Sequence, residues 1–239
     1  TNIQQGAFSG CSGFTGTLEF PVNLTTIHES AFYDCSGLSG TLNIPEGVKI
    51  IKDYAFYNCI NFDSLHLPQS LLSLGKSSFE KCTKLSGNLH IQNGIRDIGE
   101  SCFSECTGFS GTLSIPETIN CIKRYTFNGC IKLTGTLTIP NSITEICEFA
   151  FSKCSSFTKL SEISSNLTSI ERFAFSGCSK FDGTLAIPKG ISLINESVFS
   201  QCQGFTDTLT IPKNIKYISK NAFSECIGFT ELKLENSII

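Results

Sequence analysis

Tryptophan and methionine are absent from the 239 residues, and charged side chains make up only 16% of them. Lys plus Arg totals 18 against 21 for Asp plus Glu, a formal net charge of −3. With no basic surplus, the chain has no electrostatic footprint for nucleic acid or for an anionic lipid surface. Apolar runs are only a few residues long, so no membrane insertion by this segment is expected. The opening TNIQQGAFSG lacks the charged and apolar regions of a signal peptide. No Cys-x-x-Cys occurs, which removes the commonest zinc and redox spacings. Glycines follow neither a dinucleotide-binding nor a Walker spacing, and the three histidines fall in no Ser-His-Asp grouping. No enzyme activity, cofactor or metal is therefore expected. A hydrophobic share of 40% also excludes a disordered tail.

What is abundant is biased: 20 Phe, 13 Cys and 53 Ser plus Thr. Such bias marks one unit copied many times. Phe recurs at 8, 32, 56, 79, 103, 127, 151, 175, 199 and 223, every step being 24 residues except one of 23. Three residues after each Phe stands a Cys, from Cys11 and Cys35 to Cys226, and three further on a Phe or Leu. A Gly-Thr-Leu-x-Ile-Pro segment follows in most copies, as at 111–116 and 135–140, and then a Leu-x-x-Ile pattern. Residues 1–239 thus read as one domain of ten repeats. The first and last apolar positions fall in mid-repeat with no polar cap, so a segment of a longer protein is expected.

Two periodicities alternate within each unit. Pairs such as Leu42 and Ile44, or Leu89 and Ile91, have period two and predict a short strand with one buried face. Pro at 21, 45, 68, 116, 140, 188 and 212 ends that strand, since it donates no N–H. Phe-x-x-Cys-x-x-Phe has period three, the spacing of a 3₁₀ turn. The Leu-x-x-Ile part allows a second, shorter strand. No unit can bury its apolar positions alone; stacked units bury them as ladders of identical side chains.

Phe62-Asp-Ser-Leu65-His-Leu67 and Phe229-Thr-Glu-Leu232-Lys-Leu234 match the core of leucine-rich repeats. Together with the Ala-Phe pairs and the Phe-x-x-Cys closure, they make the chain resemble the BspA-like leucine-rich repeat family. That family comprises surface proteins of anaerobic bacteria and of parasitic protists such as trichomonads. The resemblance covers the whole chain. It implies a right-handed solenoid of the α/β horseshoe class, mostly β with short 3₁₀ turns, with strands lining a concave face. It also implies adhesion at a cell surface or as a secreted protein, through a protein or glycan ligand. The alternative is a cytoplasmic scaffold or regulator, which free cysteines in quantity would suit. Most copies carry one residue more than the family's pattern before the strand, as at Gly40-Thr41, and a glycine there predicts a bulge.

Alternation points two residues per strand outward. One outward column is mostly Thr, and β-branched neighbours favour sheet structure. The other varies: Glu19, Asn43, His66, His90, Ser114 and Thr138, then Ala186 and Thr210. With Glu46 and Glu117 just beyond the strands, these eight residues from Glu19 to Thr138 are the candidate ligand-binding set. His66 and His90 fall in neighbouring rungs, about 5 Å apart if the strands pair directly. They read either as solvated residues or as a shared metal or pH-sensitive pair.

The ten ladder cysteines are expected to be reduced and buried, behaving as small hydrophobes. Off the ladder, Cys102 replaces the small residue before Phe103, while Cys121 and Cys147 flank core isoleucines. Sequons begin at Asn23, Asn166 and Asn195. The first two fall where related repeats turn an Asn inward, so Asn195 is the expected acceptor. The seventh repeat, Phe157 to Asn166, lacks both the Gly-Thr pair and the Pro. Its Leu160 and Ile163 are three apart, which predicts a bulge at Ser161-Glu162 and a local break in the sheet.

Overall fold

The computed structural model describes residues 3–235. Among these the chain forms seventeen short strands and no helix. Nine two-residue strands carry the Leu-x-x-Ile pattern: β1 (Thr26–Ile27), β3 (Ile50–Ile51), β5 (Ser73–Leu74), β7 (Asp97–Ile98), β9 (Cys121–Ile122), β11 (Glu145–Ile146), β13 (Ser169–Ile170), β14 (Leu193–Ile194) and β16 (Tyr217–Ile218). The second residue of each is apolar and points inward, buried in all but β16. They pair in parallel as β1-β3-β5-β7, β9-β11-β13 and β14-β16. This is the second strip that the sequence allowed, and it is the more regular of the two.

The other strip holds β2 (Gly40–Asn43), β4 (Phe62–His66), β6 (Leu89–His90), β8 (Leu113–Ser114), β10 (Gly135–Leu137), β12 (Phe157–Leu160), β15 (Thr208–Ile211) and β17 (Glu231–Leu234). It is not one sheet but four ladders, β2-β4, β6-β8, β10-β12 and β15-β17. Every ladder longer than two residues ends on a repeat that lacks the inserted residue: the third, seventh and tenth. Where two inserted repeats adjoin, pairing shrinks to two residues in β6-β8 or to the single bridges Gly16↔Leu38 and Gly183↔Phe205, and between β8 and β10 no pairing is left. The insertion takes the predicted form. Gly16, Gly40, Gly87, Gly135 and Gly183 are all left-handed, with φ between 76° and 91°, a conformation open to glycine at no steric cost.

The break expected at the seventh repeat is present, on one side only. β12 pairs back onto β10, with a register shift at Gly135/Thr136, and Ser161 N–H still reaches Leu137 O at 3.0 Å. Between β12 and the eighth repeat no strand pairing survives, and an open groove lined by Leu160, Glu162, Thr184 and Ala186 lies there. The same loss follows the third repeat, so the seventh is not exceptional. Ile163 nevertheless reaches the core.

The period-three segment keeps the i→i+3 spacing without becoming a 3₁₀ helix. Ala31, Tyr33 and Cys35 N–H donate to the carbonyls of His28, Ser30 and Phe32. The intervening Ser30, Phe32 and Asp34 N–H groups donate instead to Asp53, Ala55 and Tyr57 in the next rung, each at 2.9 Å. This alternation needs left-handed residues two before and two after each Phe, as at Ser30 (φ 53°) and Asp34 (φ 55°). Such a residue is the third position of a type II turn, whereas a 3₁₀ run keeps φ negative throughout. Half of the turn's N–H groups thereby bind rung to rung.

Candidate binding face

Two structural columns on the turn side, Phe and Cys, repeat through the chain. Consecutive ladder phenylalanines from Phe8 to Phe223 stack with ring centroids 5.3–6.0 Å apart and planes within 18°. Beside them run the cysteines. From Cys35 to Cys226, each thiol donates to the carbonyl of the ladder Phe one rung back, at 2.9–3.2 Å. The expectation of small apolar fillers missed this bond. Cysteine fits because it pairs apolar bulk with a weak donor. Burial pushes the thiols up, Cys35 and Cys226 to about 11 and the interior ones further. All thirteen cysteines are free, and Cys102 sits fully buried with its sulfur 3.2 Å from Ser78 Oγ.

The eight candidate residues, Glu19, Asn43, Glu46, His66, His90, Ser114, Glu117 and Thr138, are all exposed. Asn43 lies in register with His66, and His90 with Ser114. His66 and His90 belong to different ladders, because β4 and β6 do not pair. The direct strand pairing that would set them about 5 Å apart is therefore missing.

Glu46 and Glu117 stand apart from the column. Glu46 Oε1 accepts the Gln69 N–H at 3.2 Å, and the Glu117 carboxylate accepts those of Asn141 and Ser142 at 3.4 and 3.1 Å. Both cap the turn of the next rung. The Thr column is likewise engaged. Thr41 Oγ1 lies 2.8 Å from Ser64 Oγ, Thr112 Oγ1 donates to Asn88 Oδ1 at 3.3 Å, and Thr208 Oγ1 donates to Glu231 Oε2 at 3.0 Å. Among the described residues, no hydrogen bond or ion pair involves the side chains of Glu19, Asn43, His66, His90, Ser114 or Thr138.

The sequons do not sort as expected. Asn23 is exposed, Asn166 is exposed but donates through Nδ2 to Asn141 O at 3.2 Å, and Asn195 is half-buried and donates through Nδ2 to Ile170 O at 2.7 Å. Of the positions after the strand, Ser70, Thr118, Asn166 and Asn214 do reach back to the previous rung, to Val48 O, Ile95 O, Asn141 O and Ile191 O. That ladder is patchy, as composition implied.

A column not singled out in the sequence lies three residues before each Phe. From the fourth repeat on it reads Lys76, Glu100, Arg124, Glu148, Arg172, Glu196 and Lys220, alternating in sign. Glu148 is buried between Arg124 and Arg172 and bridges to both. Reading charge at the repeat period would have found it.

Six copies of the family model for the BspA type leucine rich repeat region match residues 1–134 and 98–230. The chain belongs to the BspA-type leucine-rich repeat family. Among solved structures, a leucine-rich repeat protein from Bacteroides ovatus superposes with a TM-score of 0.84 at 26% identity, over 97% of this chain. The chain spans 64% of that protein's length. A leucine rich cell surface protein from Faecalibacterium prausnitzii matches with a TM-score of 0.56 at 20% identity, over 98% of this chain and 77% of that one. The pneumococcal vaccine antigen PcpA matches with 0.51 at 18% identity, over 94% and 72%. The last two likenesses show the fold alone. Among curated proteins none matches this chain in sequence. BspA-type repeats form a fold generally used for protein interaction and typically without catalysis, and no helix among the described residues is long and apolar enough to cross a membrane.

Proposed function

We propose that this chain is a non-catalytic binding module of a cell-surface adhesin or receptor ectodomain. It takes a protein or glycan through the variable column from Glu19 to Thr138. The observation that carries this reading is the division of labour among columns. The Phe, Cys, Thr and capping Glu positions each hold a neighbouring rung, while the column side chains hold nothing in the molecule. Free donors and acceptors on a fixed lattice give a ligand hydrogen-bonding groups at little ordering cost. Surface placement is supported by the description of the Faecalibacterium structure as a cell surface protein. The free thiols do not oppose it, because the ladder cysteines are sheltered and held protonated. The test is a binding screen against arrayed host-surface proteins, matrix proteins and glycans. Any ligand found should be lost when Asn43, His66 and His90 are replaced together by Thr, Ser and Ser. A ligand whose affinity is unchanged by that replacement would refute the assignment of the face.

A further inference from the structure

Two of the three off-ladder cysteines meet on the other strip. Cys121 opens β9 and lies in register with Glu145 of β11, and Cys147 follows two residues later on the same face. Between them Ile146 is fully buried, and Cys147 N–H is tied to Ile122 O at 2.8 Å. The backbone that carries all three side chains is thus fixed by a ladder. Cys121 Sγ lies 3.5 Å from Cys147 Sγ and 3.9 Å from a Glu145 carboxylate oxygen. Neither thiol reaches a carbonyl as the ladder thiols do, and both are half-buried. Among the described residues no other set of three such ligand atoms lies so close together.

We propose that Cys121, Cys147 and Glu145 form a binding site for a soft divalent cation of the zinc class. With Zn–S near 2.3 Å and Zn–O near 2.1 Å, tetrahedral geometry places two thiolates about 3.8 Å apart, and a thiolate and a carboxylate oxygen about 3.6 Å apart. Both observed separations fall within about 0.3 Å of those edges. Glu171 stands one rung on and adds negative charge, and the nearby Lys123 is paired with Asp97 at 2.6 Å. Metal binding releases both thiol protons to solvent and changes no oxidation state.

The reduced chain should bind one equivalent of cobalt(II), used as a spectroscopic substitute for zinc, with a sulfur-to-cobalt charge-transfer absorption and net proton release. Zinc should displace the cobalt. Cys121→Ser and Cys147→Ser should each abolish the absorption, and Glu145→Gln should weaken binding at least tenfold. Zinc should also protect Cys121 and Cys147 of the unaltered chain from alkylation, a readout that needs no variant to fold. Absence of the absorption at one equivalent, or its survival in the double Ser variant, would overturn the site. So would formation of a Cys121–Cys147 disulfide in air despite excess zinc.

Discussion

The turn side and the strand side of each rung are built from the same 24-residue unit, yet they spend their side chains differently. On the turn side every repeated position is engaged with its copy: ring on ring, thiol on carbonyl, alternate amides on the next rung. On the strand side pairing is interrupted after the third, fifth and seventh repeats, and one column engages nothing. Positions that touch their own copy keep their residue type, while positions that touch only solvent are free to differ. The turn side therefore holds the solenoid together, and the strand side carries the column proposed above for recognition.

Pushing on the turn side should give the largest effects. Because folding raises the ladder thiols above their unfolded value, their contribution is fully present below about pH 8.5 and is lost as pH rises toward the folded values. Each fully buried thiol then removes about 1.4 kcal/mol per pH unit. Many act together, so thermal unfolding measured against pH should show a steep fall in Tm from about pH 9 upward. A Tm unchanged to pH 10.5 would contradict the buried-thiol ladder. Next in size is Phe103→Ala, which removes a fully buried ring stacked on both Phe79 and Phe127. It should cost about 3–5 kcal/mol in urea unfolding.

Cys130→Ala deletes a buried sulfur and its bond to Phe103 O, and a loss of about 1–2 kcal/mol is expected. A comparable effect on the strand side needs the backbone. At Gly183, φ is +83° and no atom lies near an added Cβ, so Gly183→Ala tests left-handed strain alone and should cost about 1–2 kcal/mol. Smallest of all, His66→Ser with His90→Ser should shift stability by no more than about 0.5 kcal/mol. A double variant that unfolds would erase the distinction between the two sides.

Much of this architecture was legible because a residue repeated at a fixed period must meet its own copy. Phe, Cys and Ile ladders, the short strands and the glycine bulge follow from that. The thiol bonds were not legible, since buried sulfur reads as apolar bulk unless the carbonyl opposite is known. The left-handed positions were hidden because Gly occupies only four of the twenty, the others carrying Ser, Asn, Tyr, Phe, Lys, Glu, Asp or Gln, with the added cost offset by rung-to-rung amide bonds. The loss of pairing between His66 and His90 depends on where ladders stop. The longer ladders end on a repeat that lacks the inserted residue, a relation between rungs that no single repeat displays. Cys121 and Cys147 are 26 residues apart, so they meet only through the register of β9 on β11.

The division between the two sides is tested most directly by comparing one ligand's affinity across two variants of matched stability. One replaces the variable column at Asn43, His66 and His90; the other replaces exposed residues of the opposite strip at Lys49, Lys52 and Asp97. Binding should fall at least tenfold in the first and stay within twofold in the second. The reverse pattern, with the column variant binding normally and the opposite strip essential, would contradict the assignment of recognition to the strand side.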